Sequence, residues 1–196
     1  SGDIWVGTRN GLSYYHKGMD KFMSYTWKAS DKGGDPQEIC QILEGKDGHL
    51  WIGTHYDGLL RFDRLSGIFT PYKLQDNNNK NTWIRSLFET GDGALLIGTE
   101  DGLLTLDIPS KKVKVVKEFS KAVVYSFMKD HEDGLWLGTY FNGLYYIPPQ
   151  KNDIRWYCES DDSQSMTGSA VSQFCEDSKG NIWIATEDGG LNYFNT

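Results

Sequence analysis

Gly2-Asp3-Ile4-Trp5-Val6-Gly7-Thr8 decides the fold of this chain, because it returns four more times in slightly altered form. The further copies are Gly48-His49-Leu50-Trp51-Ile52-Gly53-Thr54, Gly93-Ala94-Leu95-Leu96-Ile97-Gly98-Thr99, Gly134-Leu135-Trp136-Leu137-Gly138-Thr139 and Gly180-Asn181-Ile182-Trp183-Ile184-Ala185-Thr186. Leu96 replaces the Trp of the third copy, and Ala185 the second Gly of the fifth. From Trp5 through Trp51, Leu96, Trp136 and Trp183 the steps are 46, 45, 40 and 47 residues. That is the length of one four-stranded blade, and longer than a leucine-rich or helical-hairpin repeat. The period points to an all-β chain folded as a β-propeller.

Working outward from the motif, apolar residues precede each glycine at fixed offsets: Ile39 and Ile42, Ile84 and Leu87, Tyr125 and Met128, Val171 and Phe174. These mark the first, innermost strand. An acid stands four residues before each of these glycines, at Glu44, Glu89, Asp130 and Glu176. The turns that follow are rich in Asp-Gly, a hairpin pair whose two positions both tolerate positive φ. Trp-Ile-Gly-Thr is then the second strand. Its aromatic suits the packing between neighbouring blades, and its glycine admits a close backbone approach. Gly-Leu opens a third strand at Gly11, Gly58, Gly102, Gly143 and Gly190. A looser fourth follows around Phe22 to Trp27, Phe69 to Tyr72, Val113 to Val116 and Ile154 to Tyr157. Lys111, Lys112, Lys114 and Lys117 read as charges guarding an outer edge against further pairing. With 22 glycines in 196 residues and frequent turn signals, helical periodicity is hard to find.

The blade pieces run over about 1–30, 37–75, 82–118, 122–158 and 169–196 of a single propeller segment. The first piece lacks a first strand and the last lacks a fourth, so three full blades lie between two partial ones. Five blades could close with two incomplete, or the chain could be an arc of a larger ring. The arc is favoured, and it would leave apolar blade faces to be covered by the rest of a propeller or by another copy. A net charge of −7 with scattered basic residues argues against nucleic acid and against an anionic membrane as partners. No apolar run reaches membrane-span length, and residue 1 onward does not resemble a signal peptide. Cys40, Cys158 and Cys175 are odd in number and widely spaced, so they cannot all pair within the chain and read as structural thiols.

His16, His49, His55 and His131 form no ligand spacing with one another or with the cysteines, so no metal is expected. The repeated glycines precede no helix, which removes the phosphate-binding loop, and no Gly-x-Ser-x-Gly elbow occurs. No cofactor and no catalytic residue is expected. The acid pairs Glu100-Asp101, Asp161-Asp162 and Glu187-Asp188 sit side by side, whereas a glycosidase needs carboxylates opposed across a sugar.

More informative are the loops between second and third strands, which in a propeller gather on the face that also carries the blade-to-blade connections. They read Arg9-Asn10, His55-Tyr56-Asp57, Glu100-Asp101, Tyr140-Phe141-Asn142 and Glu187-Asp188-Gly189, varied inserts between a repeated Thr and a repeated Gly-Leu. Specificity commonly sits in variable loops on a fixed scaffold. Candidate ligand-binding residues are therefore Arg9, His55, Tyr56, Asp57, Tyr140, Phe141, Asn142 and Glu187. Flat aromatics beside hydrogen-bonding groups suit an oligosaccharide or another small ligand. Two polar connections, Gln75 to Asn81 and Glu159 to Ser169, could act as lids or as plain loop tips.

An inner strand ending in an acid, then Gly-x-Leu/Ile-Trp-Ile-Gly-Thr, Gly-Leu and an aromatic strand, resembles the two-component regulator propeller repeat. The clearest copy is Glu176-Asp177-Ser178-Lys179-Gly180-Asn181-Ile182-Trp183-Ile184-Ala185-Thr186 with Gly189-Gly190-Leu191-Asn192-Tyr193-Phe194. Such repeats are typical of the sensor regions of hybrid two-component proteins of Bacteroides-type bacteria, where propellers precede an immunoglobulin-like domain, a membrane helix and a histidine kinase. The resemblance implies a periplasmic sensor segment of an inner-membrane protein, joined to the membrane only through its parent. It also implies glycan binding that changes how two copies pack and so alters kinase activity. The family has no fixed ligand motif, so no binding residue carries over. A scaffold or dimerisation propeller, and a lyase or hydrolase propeller, are the competing readings.

If the repeated aromatics are the core, Trp136→Ala should cost about 3–5 kcal/mol in chemical denaturation. A loss under ~1 kcal/mol would remove Trp136 from the core.

Overall fold

The computed structural model describes residues 4–28, 37–74, 83–149, 154–162 and 164–195. The strands form five antiparallel sheets, each made of strands consecutive in the chain. Blade one holds β1 (Ile4–Thr8), β2 (Gly11–His16) and β3 (Lys21–Tyr25). Blade two holds β4 (Ile39–Glu44), β5 (Leu50–Thr54), β6 (Leu59–Asp63) and β7 (Ile68–Tyr72). Blade three holds β8 (Ile84–Glu89), β9 (Ala94–Thr99), β10 (Gly102–Asp107) and β11 (Lys112–Val116). Blade four holds β12 (Val123–Lys129), β13 (Leu135–Tyr140), β14 (Leu144–Ile147) and β15 (Arg155–Tyr157). Blade five holds β16 (Val171–Glu176), β17 (Ile182–Thr186) and β18 (Gly190–Phe194). Three sheets of four strands thus lie in sequence between two of three, and the chain is an all-β propeller segment. Its residues group into two compact units, 1–100 with 104–115, and 101–103 with 116–196.

Within each unit the core lies between adjacent blades. In the first unit, Leu12, Leu50, Ile52 and Phe62 close the space between blades one and two, and Trp51, Ile84, Leu95 and Ile97 that between two and three. In the second unit, Trp136, Leu144, Val171, Phe174 and Ile184 close the space between blades four and five. The second strand's glycine sets the spacing. A Cβ on Gly53 would lie 2.6 Å from Ile84 Cγ2, one on Gly7 2.5 Å from Ile39 Cγ2, and one on Gly138 2.6 Å from Val171 Cγ1. Blades one, two and four therefore each leave a notch, and the next blade's first β-branched residue fills it.

That residue opens the inner strand, where all four inner strands carry the same irregularity. Pairing with the second strand slips by one between Ile39 and Gln41, Ile84 and Ser86, Val124 and Ser126, and Val171 and Gln173. A bulge with one unpaired residue explains the three-residue apolar spacing in the sequence, which alternation alone would not give. It also corrects the fourth copy. Val124 pairs with Thr139 and Phe127 with Leu137, just as Ile84 pairs with Thr99 and Leu87 with Ile97, so the apolar pair is Val124 and Phe127, not Tyr125 and Met128.

The reason is the turn. Only its last residue sits at positive φ: Gly48 at 81°, Gly93 at 86° and Gly180 at 86°, but Asp133 at 68° in blade four. Asp133 takes the position that glycine holds elsewhere, and Gly134 stands where His49 does. Counting back from Gly134 therefore overshoots by one, and the strand-end position of Glu44, Glu89 and Glu176 is held by Lys129, not Asp130. These turns are not two-residue hairpins with both positions at positive φ. Their aspartates act as acceptors instead.

In blade four, buried Asp130 accepts from the Gly134 amide at 2.7 Å and from Trp136 Nε1 at 2.7 Å. The expected core role of Trp136 holds, since it is buried against Tyr146 and Tyr157 of its own blade and Phe194 of the next. Trp51 is equally buried, whereas Trp183 lies on an open face. In blade five, Asp177 accepts from Asn181 Nδ2, the Lys179 and Asn181 amides and Trp183 Nε1. Those donors, Asn181 first, hold its carboxyl at about 2.

Two outcomes follow from this packing. Gly53→Ala should destabilise by about 1–3 kcal/mol in urea denaturation, and combining it with Ile84→Ala should cost less than the sum of the single changes. Strict additivity would contradict the notch. A carboxyl held at about 2 against 3.8 unfolded stabilises the fold above pH 3.8, and this contribution is lost as pH falls toward 2. The melting temperature of the wild type should accordingly fall more steeply across that window than that of Asp177→Asn, and parallel curves would refute the role of Asp177.

Candidate functional site

The variable loops are held by the repeated threonine. Thr54 Oγ1 donates to the Gly58 carbonyl at 2.8 Å and accepts from the Asp57 amide at 2.9 Å. Thr139 Oγ1 donates to the Gly143 carbonyl at 2.6 Å, and Thr186 Oγ1 to that of Gly190 at 3.1 Å. The loop's first amide reaches the residue just ahead of the same blade's inner strand: His55 to the Glu38 carbonyl at 3.0 Å, Glu100 to Trp83 at 3.3 Å and Glu187 to Ala170 at 2.9 Å. The loop and the bulged end of the inner strand are thereby fixed side by side.

In the first unit this places four flat groups in one stack. Tyr56 lies on His55 with centroids 4.0 Å apart, and His55 lies on Trp83 at 3.6 Å. The Arg85 guanidinium lies over the Trp83 ring at 3.2 Å. Two carboxylates flank the stack. Glu38 Oε2 is 3.4 Å from His55 Nδ1 and 3.9 Å from Arg9 Nε, while Glu100 binds the Arg85 guanidinium through both Nε and a terminal nitrogen. Among the sequence candidates, Arg9, His55 and Tyr56 come together here. The Asp57 carboxylate accepts from Trp27 Nε1 at 2.8 Å and ties the loop to the preceding blade. Next to the stack, burial pushes the Cys40 thiol up, and all three cysteines are free.

In the second unit, Tyr125 stacks on Tyr140 with centroids 5.1 Å apart and planes 18° from parallel, and Tyr140 touches Phe141 at 4.1 Å. Phe141 is 60% exposed and sits at φ 62°, an uncommon conformation for a bulky residue. The Asn142 carbonyl accepts from the exposed Trp156 Nε1 at 2.6 Å, which anchors that loop to the outer strand. Glu187 is exposed. Its neighbour Asp188 accepts from the Ser169 and Ala170 amides, which lower its pKa. The end of the connection from Glu159 to Ser169, at Thr167 to Ser169, is thus pinned onto blade five, further through Thr167 to Asn192 and Gly189. Met166 of this connection lines a cleft of about 330 Å³ together with Trp156, Tyr157, Asn192, Tyr193 and Phe194. The other expected lid, Gln75 to Asn81, lies outside the described residues.

Sequence reasoning did not single out Glu38, Trp83, Arg85 or Tyr125 as site residues, because their placement depends on the bulge. Among the described residues no group of His, Cys, Asp or Glu is arranged to hold a metal ion. What the two surfaces offer is adsorption, with ring faces for stacking and paired charges for hydrogen bonding.

Comparison with known proteins agrees with this architecture. The profile of the two component regulator propeller family matches residues 33–56 and 165–188, which span the inner and second strands of blades two and five. No curated protein matches the chain. Among solved structures, it is similar to the extracellular domain of BT4673 from B. thetaiotaomicron, described as a hybrid two component system, with 27% identity and a TM-score of 0.82. That match covers 99% of this chain and 26% of the other, so the chain spans about a quarter of that domain. The extracellular domain of BT3049 from the same organism matches at 24% identity and a TM-score of 0.60, over 98% of this chain and 32% of its own. A virginiamycin B lyase from Staphylococcus aureus shares the fold at 14% identity and a TM-score of 0.68, over 99% of this chain and 66% of its own. Two stretches of the chain thus match two component regulator propeller repeats, and the whole chain is similar to extracellular domains described as belonging to hybrid two component systems.

Proposed function

We propose that this chain is a ligand-sensing, non-enzymatic segment of the periplasmic ectodomain of a bacterial two-component sensor, and that it binds oligosaccharides through the loops after its second strands. Binding would change the packing of two receptor copies and be read across the membrane by the parent's histidine kinase. The observation that carries the reading is the contrast between a scaffold that repeats and loops that do not. Thr, Gly-Leu and the bulge recur, while the side chains beside them form an aromatic and charged surface in the first unit and an aromatic one in the second. The similarity to sensor ectodomains supports the receptor context.

A scaffold role is the second reading, and the open edge of blade five favours it. Leu191 is 63% exposed although its counterparts Leu12, Leu59 and Leu144 are fully buried, and Tyr193 beside it is exposed as well. Such a face fits contact with further blades or another copy.

A thermal-shift screen of this chain against oligosaccharide digests of plant and host polysaccharides separates the two, because a ligand that binds the native state raises the melting temperature. The sensing reading expects a shift with one glycan class. No shift with any digest would leave the scaffold role.

A further inference from the structure

One position in each inner strand behaves unlike every other position in the repeat. The bulge leaves Cys40, Arg85, Tyr125 and Ser172 as its extra residues in blades two to five. The residue ahead of each is β-branched, and Ile84, Val124 and Val171 are 0% exposed. The residue after each is small or polar, at Gln41, Ser86, Ser126 and Gln173. The bulge residues themselves share neither size nor chemistry, being a thiol, a guanidinium, a phenol and a hydroxyl, and all four are half-buried. Packing demands recur in a repeat protein because the same neighbours recur. The backbone bulge is held constant by the packing around it, while the side chain at its extra residue is free to differ, so packing constrains the bulge and not the residue it carries.

A bulge re-aims the side chain it carries. Here the new direction leads to the variable loop of the same blade in both cases where the bulge side chain is long enough to reach it. Arg85 grips Glu100, the first residue of its loop, and lies over Trp83. Tyr125 stacks on Tyr140, which passes the contact to exposed Phe141.

We propose that the bulge residue is a specificity-determining position for a neutral oligosaccharide, read jointly with the loop beside it. Tyr125 extends the Tyr140 and Phe141 surface into a platform for the C–H face of a sugar ring. Arg85 and Glu100 form a donor and acceptor pair for neighbouring ring hydroxyls. The ligand is neutral because each basic side chain on these loops already faces a carboxylate: Arg9 and His55 face Glu38, and Arg85 faces Glu100. A uronate or sulfate would have to displace one of those acids. The inference rests on the oligosaccharide reading above, and its test keeps the two apart.

The test is titration calorimetry of the chain with hydrolysates of xylan, mannan, arabinan and galactan, and with hydrolysates of polygalacturonate and chondroitin sulfate. Tyr125→Leu and Arg85→Gln keep an extended side chain of reduced volume while removing the ring or the charge, and Tyr125→Phe restores the ring. A neutral hydrolysate should bind, with affinity falling about tenfold or more in Tyr125→Leu for a site in the second unit, or in Arg85→Gln for a site in the first, and changing less than about threefold in Tyr125→Phe. Unliganded melting temperatures should stay within about 2 °C of the wild type. Full binding by Tyr125→Leu and Arg85→Gln, with loss in Phe141→Ala, would overturn the bulge role and leave oligosaccharide sensing standing. Binding confined to the acidic hydrolysates would overturn the neutral class alone. No binding by any hydrolysate would remove the inference together with the reading it rests on.

Discussion

Blade spacing depends on a contact of about a methyl group's width. The second-strand glycine removes the one atom that would stand between two blades, and the next blade's Ile or Val moves into the space. Interiors packed to crystal-like density do not absorb such an atom without displacement. Two further features follow from it. The β-branched residue must open the inner strand, and the strand must then change register to turn its later apolar residues back toward the same core, which is the work of the bulge. The glycine and the bulge are two ends of one packing solution.

Most of the blade was legible in the sequence because it depends on local chemistry repeated at a fixed period. The fourth strands at Phe69 to Tyr72 and Ile154 to Tyr157, the least regular of the expected elements, lie within a residue of β7 and β15. What failed was the register of the fourth copy. Gly134 looked like the turn glycine, yet Asp133 holds the left-handed conformation, which aspartate tolerates better than most residues. Gly134 is needed for space instead, since a Cβ there would lie within 2.7 Å of Tyr146 and Asp130. Sequence alone cannot separate a glycine kept for its dihedral angle from one kept for room.

The candidate surfaces were legible only in part for the same reason. Loop residues such as His55 and Phe141 stand out as variable inserts between fixed flanks. Their partners Trp83, Arg85 and Tyr125 sit in or beside a strand, where alternation assigns them a face that the bulge then alters. The structure joins the two sets into a stack that begins at Tyr56 and ends at Arg85 in one unit, and into a run of aromatic rings ending at Phe141 in the other. Threonine and backbone hydrogen bonds hold these surfaces in place without using the side chains that face outward. The blade can therefore keep its packing while its chemistry varies.

The central claim is that the repeated scaffold stays constant and that ligand is read at the bulge and the loop beside it. Hydrogen exchange of the chain with and without the hydrolysate giving the largest thermal shift tests this most directly, because protection reports where backbone opening is suppressed. The account predicts added protection in segments 38–41, 55–57, 83–86, 98–101, 123–126 or 138–142, with the turns at 45–48, 90–93, 130–133 and 177–180 unchanged. Protection centred on those turns, or on the outer edge of β18, would contradict it.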